Sequence, residues 1–198
     1  IDTPRGLARA ELHRVPEARA GLLLGHGAGG GLAAPDLVAA AAAARQAGVD
    51  VALVEQPYRV AGRRAPAPAS HLDEAWLTVA NALAKSWFDG LPLVFGGRSS
   101  GARVACRCAS AGQAVAVLCL AFPLHPPGRP ENSRQSELDG VEVPTLVVQG
   151  DRDPFGMPPP AHHREVVVLA GDHSLKADQD GVARAVREWL SRVLRPLD

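Results

Sequence analysis

Six short apolar runs constrain this chain more than any other feature: Ala20–Leu24, Val49–Val54, Leu91–Phe95, Ala114–Leu120, Pro144–Gln149 and Glu165–Leu169. Each has the length of a strand, and most are apolar at consecutive rather than alternating positions. A strand of that kind must be covered on both faces, and strands that alternate with helices assemble into a parallel sheet between helical layers. A further strand around Leu7–Val15 is expected at an antiparallel edge. The predicted fold class is therefore α/β, a mostly parallel central sheet with helices on both faces. At 198 residues the chain suits one domain over positions 1–198.

The intervening helices carry their own punctuation. Pro35 and Asp36 suit a helix start and Gly48 its end, which predicts a helix over Pro35–Ala47. Its run Ala39–Ala44 combines high helix propensity with a thin face that packs close to a sheet. Ser70 is the expected cap of the next helix, with Asp73 three residues on. Leu72, Trp76, Val79, Leu83 and Trp87 then repeat at helical spacing as a buried stripe. A helix over Arg103–Ala111 follows, and a last one, about Gln179–Leu194, buries Val182, Val186, Trp189 and Leu190. Two irregular stretches, Gln56–Ala69 and Pro123–Val143, each follow a strand and so belong to the carboxyl edge of the sheet, where such folds bind ligands. Neither is long enough to form a cap domain.

Charge and cysteine content remove several function classes. Lys plus Arg and Asp plus Glu both number 21, so the chain has no net attraction to nucleic acid or to an anionic membrane. No apolar run approaches the roughly 20 residues of a membrane span, and no charged segment with an apolar stretch behind it marks a secretory leader. Cys106, Cys108 and Cys119 cannot all pair with one another, and no His stands at ligand spacing from them. Buried free thiols in a reducing compartment are expected, with the cytoplasm as the location and no metal or organic cofactor.

Gly97-Arg98-Ser99-Ser100-Gly101 has the form G-x-S-x-G. In a glycine-rich chain the pattern alone says little, but here an apolar strand precedes it and a helix follows. A serine on a sharp strand-to-helix turn projects its hydroxyl above the sheet, and the following helix aims its N-terminus at the reacting carbonyl. A serine needs a base, and in this arrangement the partners follow in the order Ser, acid, His. After the strand Pro144–Gln149 come Gly150-Asp151-Arg152-Asp153, and after Glu165–Leu169 come Gly171-Asp172-His173. Of seven histidines only His173 has the right order and loop. Asp153 is preferred to Asp151 because the turn needs a few residues to swing a carboxylate toward the base. Asp172 reads as a loop-capping residue.

An oxyanion formed at Ser99 needs donors. Gly25-His26-Gly27-Ala28-Gly29-Gly30-Gly31 follows the first central strand, which makes the Ala28 and Ser100 N–H groups the expected pair. A phosphate-binding loop is the competing reading, but the turn has neither a Walker lysine nor a clean G-x-G-x-x-G with its downstream acid. His26, Gly29, Tyr58 and His125 are the expected substrate-binding residues of a shallow, open pocket. Arg59, Arg63, Arg64 and Arg129 lie on the two irregular loops, where they either attract an anionic group or are solvated surface.

Taken together these segments resemble the dienelactone-hydrolase-like branch of the α/β-hydrolases. More narrowly they are similar to its small lidless subgroup, which includes testis-expressed protein thirty and the third subunit of the NSL chromatin complex. The resemblance runs through Gly25–Gly30, Gln56-Pro57-Tyr58, Gly96–Ser99, Phe122–Gly128, Gln149–Gly156 and Gly171–His173. It implies triad positions for Ser99, Asp153 and His173. Where the family often carries a larger residue such as Met after the serine, this chain has Ser100. The expected activity is hydrolysis of a small ester or thioester through an acyl-enzyme. Alternatives are acyl transfer or perhydrolysis by the same serine, and a non-catalytic binding or scaffold protein with this fold, since fold constrains reaction only loosely.

Overall fold

The computed structural model describes residues 1–195. The chain opens with a small hairpin, β1 (Asp2–Thr3) and β2 (Gly6–Leu7), and then enters the edge strand β3 (Arg9–His13). The six apolar runs become β4 (Ala20–Gly25), β5 (Val49–Glu55), β6 (Leu93–Arg98), β7 (Ala116–Leu120), β8 (Thr145–Gly150) and β9 (Arg164–Leu169). The seven-stranded sheet has the order β3-β5-β4-β6-β7-β8-β9, parallel throughout except for β3.

Alternation along each buried strand divides the core in two. Leu22, Leu24, Val94, Leu118 and Leu120 face α1 (Pro35–Gln46) and α6 (Gln179–Val193). Leu23, Phe95, Val117 and Cys119 face the opposite layer. That layer is built from α3 (Ala69–Ser86), α4 (Ser100–Cys108) and the short α5 (Gln135–Asp139), with the single turn α2 (Pro57–Val60) preceding it. Trp76 is fully buried and meets Phe95 edge-on, with ring centroids 5.5 Å apart. Among the described residues no helix is long and apolar enough to cross a membrane.

The strand order positions the site. From β4 the chain moves outward to β5, then returns past β4 to lay down β6 on its other side. The carboxyl ends of β4 and β6 are therefore neighbours at the point where the winding reverses, with Gly25 beside Gly97. Diverging connections leave a crevice there, which is where open α/β sheets place ligands.

Several local expectations are corrected. The strand expected at Leu7–Val15 is interrupted, because the β1–β2 hairpin uses Leu7 and leaves β3 only Arg9–His13. The strand expected to stop at Phe95 runs on to Arg98, carried by pairing with β4 and β7 through the small residues Gly96 and Gly97. Ser70 does not cap α3: the helix starts at Ala69 behind Pro68, with no side-chain cap. Asp73 pairs instead with Arg107 of α4 at 2.6 Å. The helix expected over Arg103–Ala111 is α4, which starts at Ser100 rather than Arg103, directly behind Ser99.

Candidate active site

Ser99 sits between β6 and α4 with φ +53° and ψ −110°, a conformation a non-glycine residue adopts only when its surroundings impose it. They do so from both sides. Its N–H is held by the Leu120 carbonyl at 2.9 Å. The helix then starts so close to the sheet that a Cβ on Gly101 would stand 2.3 Å from the Gly25 oxygen, and one on Gly97 2.5 Å from the Gly101 carbonyl carbon. The two flanking glycines are thus a steric requirement of this turn.

The acid and base arrive from the next two carboxyl ends along the sheet. After β8, Asp153 places Oδ2 2.8 Å from His173 Nδ1, and His173 Nε2 lies 2.9 Å from Ser99 Oγ. The Asp153 carboxylate is fully buried yet well supplied with donors. Phe155 N–H donates to Oδ1 at 2.8 Å, and Gln149 Nε2 donates to Oδ2 at 2.8 Å. A carboxylate surrounded by donors only accepts, so Nδ1 of His173 carries the proton and Nε2 is free to accept one from Ser99. The Phe155 ring covers the imidazole at 4.1 Å between centroids. Asp151 does a different job: its Oδ1 accepts from Gly171 N–H at 2.8 Å and braces the His173 loop. Asp172 is exposed and bonds Ser174, whose hydroxyl and N–H hold its carboxyl below the usual carboxylate range.

The glycine turn after β4 lies against the elbow, with the position of a Gly27 Cβ 3.6 Å from Ser99 Cβ. The Ala28 carbonyl accepts from the Tyr58 hydroxyl at 2.9 Å, which orients that peptide. Ser100 is the first residue of α4, where helical geometry leaves N–H groups without partners.

Of the other residues expected to bind substrate, His26 and Tyr58 line a small cavity together with Ser100 and Gly101. His26 is buried, accepts Gln56 N–H at Nε2 (3.1 Å) and turns Nδ1 to the Gly27 carbonyl (2.8 Å). Both nitrogens are used inside the protein, and burial lowers its pKa, so the ring is a neutral brace under the turn. Tyr58 is also buried, where an open pocket wall was expected, because α2 points its ring inward and Ala28 takes its hydroxyl. His125 is half-buried, bonds the Pro126 carbonyl at 2.9 Å and packs on Gly156, where a Cβ would meet Nε2 at 2.4 Å. Gly29 lies exposed at the rim of the turn. A cavity of about 370 Å³ is lined by Tyr58, Gln56, Leu72, Arg63 and His71 among others.

Residue pattern alone gave no role in the site to Gln149, Phe155 or Arg98, read Asp36 only as part of a helix start, and weighed Asp151 only as the less favoured acid. A polar glutamine at the end of an otherwise apolar strand was the one available signal for Gln149. The three cysteines are free and buried; Cys106 and Cys119 sulfurs are 3.5 Å apart, and their contact, with burial, pushes the Cys106 thiol up. Among the described residues no group of three or more His, Cys, Asp or Glu side chains is arranged to hold a metal ion.

Known proteins share this architecture. The family model described as Alpha/beta hydrolase domain matches residues 18–191. No curated protein matches the chain. A serine hydrolase without lid from Xanthomonas campestris superposes with a TM-score of 0.78 at 19% identity, covering 100% of this chain and 94% of that one. Dienelactone hydrolase from Anabaena variabilis gives 0.74 at 20% identity, covering 95% and 93%. Est1E from Butyrivibrio proteoclasticus, in a structure with ferulic acid bound, gives 0.76 at 17% identity, covering 93% and 94%. Identities this low speak for the fold, while the family match spans most of the sequence. The chain belongs to the α/β-hydrolase domain family.

Proposed function

We propose that this protein is a serine hydrolase that cleaves a small ester or thioester through an acyl-enzyme, with Ser99 as nucleophile, His173 as general base and Asp153 as its orienting partner. One observation carries the reading: an unbroken hydrogen-bonded relay from Asp153 Oδ2 to His173 (2.8 Å) and on to Ser99 Oγ (2.9 Å). Ser99 Oγ attacks the carbonyl carbon as its proton passes to His173 Nε2, and the carbonyl electron pair moves onto oxygen. The N–H groups of Ala28 and Ser100 receive that oxyanion, where each donor is worth about 3 kcal/mol of barrier. Collapse expels the alcohol or thiol, which takes the proton from Nε2 and leaves Ser99 acylated. Water then repeats the sequence and releases the acid.

The same reading places the protein in the small lidless subgroup, as one cytoplasmic domain over positions 1–198 that takes a small-molecule substrate and needs neither nucleic acid nor metal. With Tyr58 and His26 engaged inside the protein, half-buried His125, Gly29 and the rim of the glycine turn are the substrate-facing surface.

A fluorophosphonate probe tests the assignment. Labelling at Ser99, mapped by mass spectrometry and lost in Ser99→Ala and His173→Ala, is the expected result. A folded wild-type protein that takes no label overturns it in favour of a binding or scaffold protein. Product analysis with competing alcohol or peroxide nucleophiles then separates hydrolysis from acyl transfer and perhydrolysis.

A further inference from the structure

Arg98 stands between Gly97 and Ser99, and the relay described above does not use it. Its guanidinium nevertheless touches three separate segments. Nε lies 2.9 Å from Asp36 Oδ2 in the first turn of α1. Nη2 donates to the backbone carbonyl of His173 at 3.0 Å. Nη1 lies 2.7 Å from the position of a Cβ on Gly27, so the glycine turn passes directly over it. Two of these segments carry the base and the Ala28 donor, and Arg98's own backbone leads directly into the nucleophile.

Stability is a poor explanation for this arrangement. The Asp36 side chain is fully buried and that of Arg98 is 18% exposed. Removing such charges from water offsets most of their mutual attraction, and an apolar pair of similar volume typically holds a fold as well or better. Burial indeed pushes the Asp36 carboxyl up, against the pull of Arg98. What an arginine supplies is geometry: a rigid planar guanidinium whose Nη2 reaches the His173 carbonyl while Nε stays paired with Asp36 and Nη1 packs under the glycine turn, a spread a lysine ammonium cannot imitate. Asp36 is itself fixed, since its Oδ1 accepts from Leu37 N–H at 3.0 Å. Asp153 sets the direction of the His173 ring, but only a contact on the backbone sets where that ring is rooted.

We propose that Arg98, aligned by Asp36, is a positioning residue that locks the His173 loop and the glycine turn to the nucleophile elbow. The inference rests on the hydrolase reading, and its test separates the two. Ser99 labelling by the fluorophosphonate is measured against probe concentration in wild type, Arg98→Lys and the neutral double variant Asp36→Asn/Arg98→Gln, with thermal melting in parallel. Arg98→Lys keeps a buried cation opposite Asp36; the double variant removes both charges together, so neither strands a lone buried charge. The expected result in both is a labelling rate at saturating probe reduced about 100-fold, the loss that a misplacement of about 1 Å brings. The half-saturating concentration should stay unchanged, and lysine should not rescue. A merely structural pair would lower the melting temperature and leave the saturated rate of the folded protein at the wild-type value; that outcome, or full rescue by lysine, overturns the proposal. Wild type that takes no label overturns the hydrolase reading, and this inference with it, whereas labelled wild type with unimpaired variants overturns this inference alone.

Discussion

At the elbow, a Cβ on Gly97 or Gly101 would press into backbone at 2.5 and 2.3 Å. On the glycine turn, a Cβ on Gly29 or Gly31 would meet nothing within 4 Å. Both regions read in the sequence as glycine-rich, but they use the residue for different reasons. In the first it lets a helix start against a sheet, so that Ser99 is held in an otherwise unfavourable backbone conformation. In the second nothing in the fold requires glycine, and its effect is to leave the rim of the site bare. Gly27 belongs between the two, crowded by the end of a side chain rather than by backbone. The lesson is that a glycine's neighbours, not its place in a motif, tell whether it serves the fold or the clearance of the site.

This comparison can be broken in four places. Gly101→Ala should have the largest effect: the clash lies between backbones that cannot yield separately, so we expect a loss of about 3 kcal/mol or more, at the upper end of overpacking costs. Denaturant unfolding would measure it, and Ser99 labelling should vanish with it. Gly27→Ala should cost little stability, since the atom it meets ends a side chain, yet slow labelling by displacing the Arg98 guanidinium; labelling kinetics beside a melting curve would separate the two effects.

The third place is His26, beneath the same turn. Burial lowers its pKa in the folded state below the ordinary 6.5. Its unfolded form therefore binds a proton first, so the stability it contributes is present above pH 6.5 and is lost as pH falls through the lower, folded value. Melting temperature should drop on acidification from pH 7 toward 5, and His26→Asn, which keeps an acceptor and a donor without titrating, should flatten that part of the profile. The smallest effect belongs to Gly29→Ala. With open space and no positive φ there, we expect a stability change within about 0.5 kcal/mol, by thermal melting, in either direction.

Much of the architecture was open to inspection in the residues. The unbroken apolar runs at Leu22–Leu24 and Leu146–Val148 required cover on both faces, and the sheet has it. The glycines around Ser99, and the acidic and His loops after the last two strands, pointed to one edge because strands joined through helices run parallel, so the loops after them share one edge of the sheet. What stayed hidden was the direction of individual side chains. His26 and Tyr58 lie beside the glycine turn in a manner that suggests contact with substrate, yet the folded chain spends His26 on Gln56 and Gly27 and Tyr58 on Ala28. Ser70 looked like a helix cap because cap chemistry is local, but Pro68 had already begun the turn.

The reason lies in the range of the interactions. Periodicity, turn glycines and the succession of strand and loop are properties of neighbouring residues, so the chain's own order already implied the layered sheet and the edge on which Ser99, Asp153 and His173 stand. Contacts such as Arg98 with Asp36 and His173, or Gln149 with Asp153 and the carbonyls of Phe122 and Gly156, join segments that come together only when the winding reverses between β4 and β6 and the later strands are added. A buried polar group takes whichever partner packing brings within about 3 Å, and that choice belongs to the assembled fold.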